Sequence, residues 1–259
     1  MLGKLWSFED KHKGETCYIF GDGPSIRYFD YSNFTDHIGI CCGNQIFHKD
    51  FSQLNVKYYS NMEPYQFYPN WMILSKRLGY LKDNVLIANE FRKIFKDRND
   101  LEFFISLSNL FAIRAPNITF AHKTIVQWSK KFDKFIKLGV NPFGGSFTTT
   151  LSLAMLMGFK RVYLIGFDAF TIQVSPYRWY EKTFPGIDLA VPDPLIKHDY
   201  LELYKEEMEI LNISPFGTMC NLKDENYVDY TGEALAYKEN FEIINPTRID
   251  LITKRYPSA

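Results

Sequence analysis

Long apolar runs are missing from these 259 residues. No uncharged stretch reaches the roughly 18 residues a membrane-crossing helix needs, so no span is expected. Met1-Leu2-Gly3-Lys4 leads at once into Trp6 and charged residues, which argues against a secretory leader and for a cytoplasmic protein. Cysteine is scarce. Cys17, Cys41, Cys42 and Cys220 have no metal-ligand spacing and no disulfide-framework pattern, and the first three lie in strand-like runs as buried thiols of a reducing compartment. Excess charge is absent too: 30 basic residues balance 30 acidic ones, so bulk electrostatics give no reason to expect a nucleic-acid partner. The five histidines share no ligand spacing, and no Asp-x-Asp pair closes a strand. A tightly held divalent metal is therefore not expected, although a loosely bound cation bridging phosphates stays open.

What the chain has in surplus is aromatic rings, 23 Phe and 17 Tyr. That is more than one core needs, which leaves rings for a pocket, a homo-oligomer contact or a peripheral membrane surface. The length suits one α/β domain with a less regular insert at about 65–120 and a lid loop at about 171–197.

The organising stretch is Cys17 to Ser25 (CYIFGDGPS). A short apolar run stops at Gly21-Asp22-Gly23-Pro24-Ser25, reading as a buried strand and a tight turn. These residues alone serve an ordinary turn and a phosphate-approaching turn equally well. The pattern repeats, with HIGICC followed by Gly43-Asn44-Gln45, and Val56–Tyr59 followed by Ser60-Asn61-Met62-Glu63-Pro64. Strand then polar loop, three times in succession, predicts a Rossmann-like, mostly parallel sheet with helices on both faces.

Further along, Met72–Leu74 and Val85–Ala88 are strand candidates and Glu90–Phe95 a helix candidate. His122–Leu138 carries a helical apolar face. Ser146 to Met157 predicts a buried helix capped by Ser146 and stopped by Gly158. Arg161 to Gly166 then predicts a central strand ending at Phe167-Asp168-Ala169-Phe170. Asp199–Asn212 predicts an amphipathic helix, and Ile243-Ile244 a late strand.

The stretches KHKGETCYIFGDGPSI, CCGNQIF and GFKRVYLIGFD together resemble the motility-accessory-factor-like and MptE-like proteins and the metal-independent bacterial sialyltransferases with a modified Rossmann fold. The resemblance covers the first 61 residues and 139–170. It implies a glycosyltransferase that moves a sugar, of sialic-acid type, from a CMP- or UDP-linked donor to a glycan or lipid-linked acceptor. It implies that Gly21, Gly23, Pro24 and Ser25 approach the nucleotide, that Asn44 reaches its phosphate and Asn61 its base side or sugar, and that Ser146 meets the donor's carboxylate or phosphate. It also implies a histidine general base, His198, and leaving-group hydrogen bonds from Tyr177 and Tyr180. Asp22 departs from the family's asparagine. A carboxylate beside a phosphate is repulsive unless a metal, a base amino group or a ribose hydroxyl takes it. Asp168 serves either as a catalytic carboxylate or as an organiser of its loop. Two other functions compete: a non-catalytic nucleotide- or protein-binding partner in glycan biosynthesis, and an MptE-like pterin pyrophosphokinase, for which the lid lacks clustered carboxylates.

Overall fold

The computed structural model describes residues 2–64, 66–68, 84–122, 130–139, 141–168, 174–175, 179–180, 188–189, 200–215 and 222–245. Its strands are β1 Thr16–Phe20, β2 Ile38–Cys42, β3 Val56–Asn61, β4 Glu102–Ser106, β5 Ile118–Ala121, β6 Arg161–Ile165, β7 Val174–Ser175, β8 Asp188–Leu189, β9 Glu209–Ser214 and β10 Lys223–Asn226. Eight of them form one sheet in the order β10-β9-β6-β1-β2-β3-β4-β5, and every pairing in it is parallel. β7 and β8 make a separate antiparallel pair.

The apolar runs become strands because both sheet faces are covered. In β1 the side chains of Tyr18 and Phe20 enter one core cluster and those of Cys17 and Ile19 the other, all fully buried. The helix Asn84–Asp97 serves the first face, setting Phe91 against Tyr59 and Phe95 against Phe103 at ring separations of 5.8 and 4.6 Å. The helix Ser146–Leu156 serves the second with Leu151, Leu153, Ala154, Met155 and Leu156. Fully burying each larger apolar side chain contributes about 1.5–3 kcal/mol, so this helix is held by packing and needs little from its own propensity.

β1 to β5 step outward in one direction. The chain then returns through the Ser146–Leu156 helix to β6, which pairs with the other side of β1. The order reverses between β1 and β6, and ligand crevices of open parallel sheets form outside the carboxyl ends of the strands at such a point.

The four strands expected near 17–20, 38–42, 56–59 and 161–166 lie parallel in one sheet, as the repeated pattern predicts. Other expectations are corrected. Val85–Ala88 is helical, part of Asn84–Asp97, which absorbs the expected Glu90–Phe95 helix. Within the span 65–120 expected to interrupt the core, residues 102–121 add β4 and β5 to the same sheet. The helix expected through Asn212 is only Leu201–Lys205, and Glu209–Ser214 is strand β9. Ile210, Leu211 and Ile213 are buried there on both faces against β6 and β10, a demand that overrides local helical spacing. Ser146 is the first helical residue and exposed. Gly145 caps, its N–H donating to Thr148 Oγ1 at 3.2 Å. Ile243 ends a short helix and Ile244 makes one antiparallel bridge to His48. Of the expected His122–Leu138 helix, Asp133–Lys137 is α-helical and 123–129 lie outside the described residues, as do Met72–Leu74, Cys220 and most of the 171–197 loop.

Candidate active site

The turn after β1 and the turn after β6 are laced together at the switch point. Gly21 N–H donates to Ile165 O at 2.8 Å and Gly23 N–H to Gly166 O at 2.6 Å. Ser25 N–H then donates to Asp168 Oδ2 at 2.9 Å. Gly23 must be glycine: a Cβ there would stand 2.1 Å from Asp168 Oδ2 and 2.7 Å from Gly166 O. Pro24 opens the short 3₁₀ turn Pro24–Tyr28, where its missing N–H costs nothing. Asp168 is buried, and desolvation pushes its carboxyl above the usual carboxylate range against the pull of the Ser25 N–H bond. It therefore organises the junction of the two loops.

The loop after β2 closes onto the same turn. Both Asp22 carboxylate oxygens accept the Asn44 backbone N–H at 2.9 Å. Gly43, at φ +64°, makes room for this, since a Cβ would lie 2.0 Å from Asp22 Oδ2. Gln45, fully buried, donates to Gly21 O and accepts from Tyr31 Oη. Asp22 thus bonds a main-chain N–H at the strand edge where the resemblance would put a phosphate.

Two residues between β7 and β8 complete the assembly. Trp179 is fully buried: its N–H donates to Asp22 O at 3.0 Å and its indole Nε1–H to Asp22 Oδ1 at 3.3 Å. Tyr180 is 1% exposed, and its hydroxyl accepts from Asn44 Nδ2 at 2.8 Å. Arg27 ties these residues to Tyr237, with Nε donating to Trp179 O and Nη1 to Tyr237 Oη, both at 2.6 Å. Burial pushes its guanidinium below the usual arginine value. His48 is buried between the Tyr31 and Trp179 rings, at centroid separations of 4.3 and 5.3 Å. Its Nδ1 accepts the Asp50 N–H at 3.1 Å, and desolvation, aided by Lys238 and Lys49, drives its pKa down to about 3.

Of the residues singled out from sequence, the fold brings Gly21, Asp22, Gly23, Pro24, Ser25, Asn44, Asp168 and Tyr180 together. Asn61, at the end of β3, turns its carboxamide oxygen to the Glu63 N–H at 3.1 Å. Ser146 stands at the start of its own helix. Tyr177 and His198 lie outside the described residues. Arg27 and the buried roles of Gln45 and His48 are not legible in the sequence. A cation three residues beyond a Gly-Pro turn and a polar residue beside Asn44 were the available signals. His48 carries no comparable signal, since the histidines share no ligand spacing. No group of three His, Cys, Asp or Glu side chains placed to hold a metal occurs among the described residues.

Fold and site define a Rossmann-like α/β chain whose strand-end loops converge on a switch point. No family model matches the chain, and no curated protein matches it. Among solved structures it is similar to the sialyltransferase CstII of Campylobacter jejuni in complex with the substrate analogue CMP-3FNeuAc, at 13% identity and TM-score 0.48, covering 93% of this chain and 99% of that one. The same enzyme with cytidine-5'-monophosphate gives 15% identity and TM-score 0.48, over 94% and 98%. An α-2,3-sialyltransferase of Campylobacter jejuni in apo form gives 16% and 0.47, over 89% and 87%.

Proposed function

We propose that this chain is a glycosyltransferase that takes a sugar from a nucleotide-linked donor, CMP- or UDP-type, and passes it to a glycan or lipid-linked acceptor. The observation that carries the proposal is the convergence of Gly21–Ser25, Asn44, Asp168 and Tyr180 at the reversal of strand order, the place where parallel sheets bind nucleotides. Asn44 and Tyr180 are neutral hydrogen-bonding groups suited to a phosphate without adding charge. His198 is assigned the acceptor proton, the ordinary role of an imidazole near neutral pH. Tyr177 and Tyr180 are assigned hydrogen bonds to the departing phosphate. Asn61 is assigned to the base or sugar side, and Ser146 to the donor's anionic group.

A second reading, a non-catalytic partner in glycan biosynthesis, is favoured by one observation: the hydrogen-bonding groups at the turn are already engaged by Trp179 and Tyr180. A donor screen separates the two. Release of free nucleotide from a CMP- or UDP-sugar, dependent on added acceptor, supports the transferase. Nucleotide stabilisation without turnover across donors and acceptors supports the binding protein, and stabilisation only by ATP with magnesium points to the pyrophosphokinase.

A further inference from the structure

Gln45 is fully buried, and Ile46 and Phe47 after it belong to the first core cluster. A carboxamide in such surroundings costs free energy unless both of its ends are bonded. Both are: Oε1 accepts from Tyr31 Oη, and Nε2 donates to Gly21 O. Tyr31 is 1% exposed, its ring 4.3 Å from that of His48. The turn after β1 is thereby gripped from two sides. On the β6 side, the N–H groups of Gly21, Gly23 and Ser25 donate to Ile165 O, Gly166 O and the Asp168 carboxylate. On the β2 side, Gln45 donates to the Gly21 carbonyl and the Asn44 N–H to the Asp22 carboxylate. A peptide unit is planar and trans, so drawing the Gly21 carbonyl inward turns the Asp22 N–H the opposite way. Asp22 is also the one residue of Gly21–Ser25 that is not buried.

We propose that Gln45 is a positioning residue for the ligand's phosphate: it sets the plane of the Gly21–Asp22 peptide, and Tyr31 in turn orients Gln45. This rests on the nucleotide reading and deepens it. A turn that carries a carboxylate repels a phosphate unless the charge is directed elsewhere. The loop that fixes the peptide plane through Gln45 also draws the Asp22 carboxylate to its own Asn44 N–H. The phosphate therefore meets the main-chain side of the turn. Gln45 touches no ligand and acts from within the core, through the Gly21 carbonyl.

Calorimetry of the full chain with CMP and UMP, each paired with its nucleoside, tests this, since cytidine and uridine lack the phosphate. Gln45→Met is close in shape and has no hydrogen-bonding end. It is expected to weaken nucleotide binding about tenfold, the scale of one buried hydrogen bond, and nucleoside binding by less than about twofold. Tyr31→Phe keeps the ring against His48 and removes the hydroxyl that orients the carboxamide, and should cost about threefold on the nucleotide alone. The double variant loses no more than Gln45→Met, because both changes act through one carboxamide. Urea unfolding of each variant establishes that the chain measured is folded. A folded Gln45→Met with the parental nucleotide-to-nucleoside ratio overturns the positioning and leaves Gln45 a structural role. If Gln45→Met does not fold, the same ratio in Tyr31→Phe decides. A parent that binds neither nucleotide more tightly than its nucleoside overturns the nucleotide reading instead, and the inference with it.

Discussion

His48 makes a sharp test of how tightly the loops over the site are packed. Its pKa falls from 6.5 to about 3 because the ring is desolvated between Tyr31 and Trp179, with Lys238 and Lys49 adding like charge. Between those two values the unfolded chain binds a proton that the folded chain refuses. The stabilisation is therefore complete above the unfolded value and is lost as the pH falls toward the folded one. One pKa unit corresponds to about 1.4 kcal/mol. Going from about pH 8 to about pH 5 should remove about 2 kcal/mol, and the figure barely changes if the folded pKa is a unit higher. The carboxylates held low, Asp10, Asp30 and Asp100, begin to cost stability only below their ordinary values, beneath this window. Asp168, raised by burial, acts in the opposite direction as the pH falls toward its ordinary value, and it does so in parent and variant alike. The assay is urea unfolding at several pH values, comparing the parent with His48→Gln, which can still accept the Asp50 N–H. The parent should lose about 2 kcal/mol more than the variant across that range. Parallel stability curves for the two proteins would refute the packing argument.

Gly23→Ala should destabilise by about 1–3 kcal/mol or more, because its Cβ meets Asp168 and Gly166 in the lacing of two loops; Gly3→Ala, with nothing within 4 Å of a Cβ, serves as the control in the same denaturation series. Asn44→Ala should weaken nucleotide binding about ten- to a hundredfold by calorimetry, and unchanged affinity would remove Asn44 from the site. His198→Ala should lower turnover by about 10²–10⁴ with nucleotide affinity retained, and near-parental turnover would shift the proton to Asp168 or Asp22.

The strands around the switch point were legible in the sequence because each is a short strand-forming run ended by a polar loop, glycine-bearing after β1, β2 and β6, and β1, β2, β3 and β6 appear where that pattern puts them. Local pattern also marked the buried helix before β6, although its cap moved to Gly145. Glu209–Ser214 was not legible, because six residues rich in Ile and Leu fit one helix face as well as a strand buried on both sides. Only pairing with β6 and β10 decides between them. The same holds for the site. Residues 21–25, 44 and 168 announce themselves by composition and position in loops. The bonds that give them their chemistry join residues 22 to 179, 27 to 237 and 44 to 180. Spacing along a chain carries no information about partners more than a hundred residues away. Packing of Trp179 and Tyr237 against the loop after β1 determines that Asp22 meets an indole N–H and that Arg27 is buried between two distant parts of the chain.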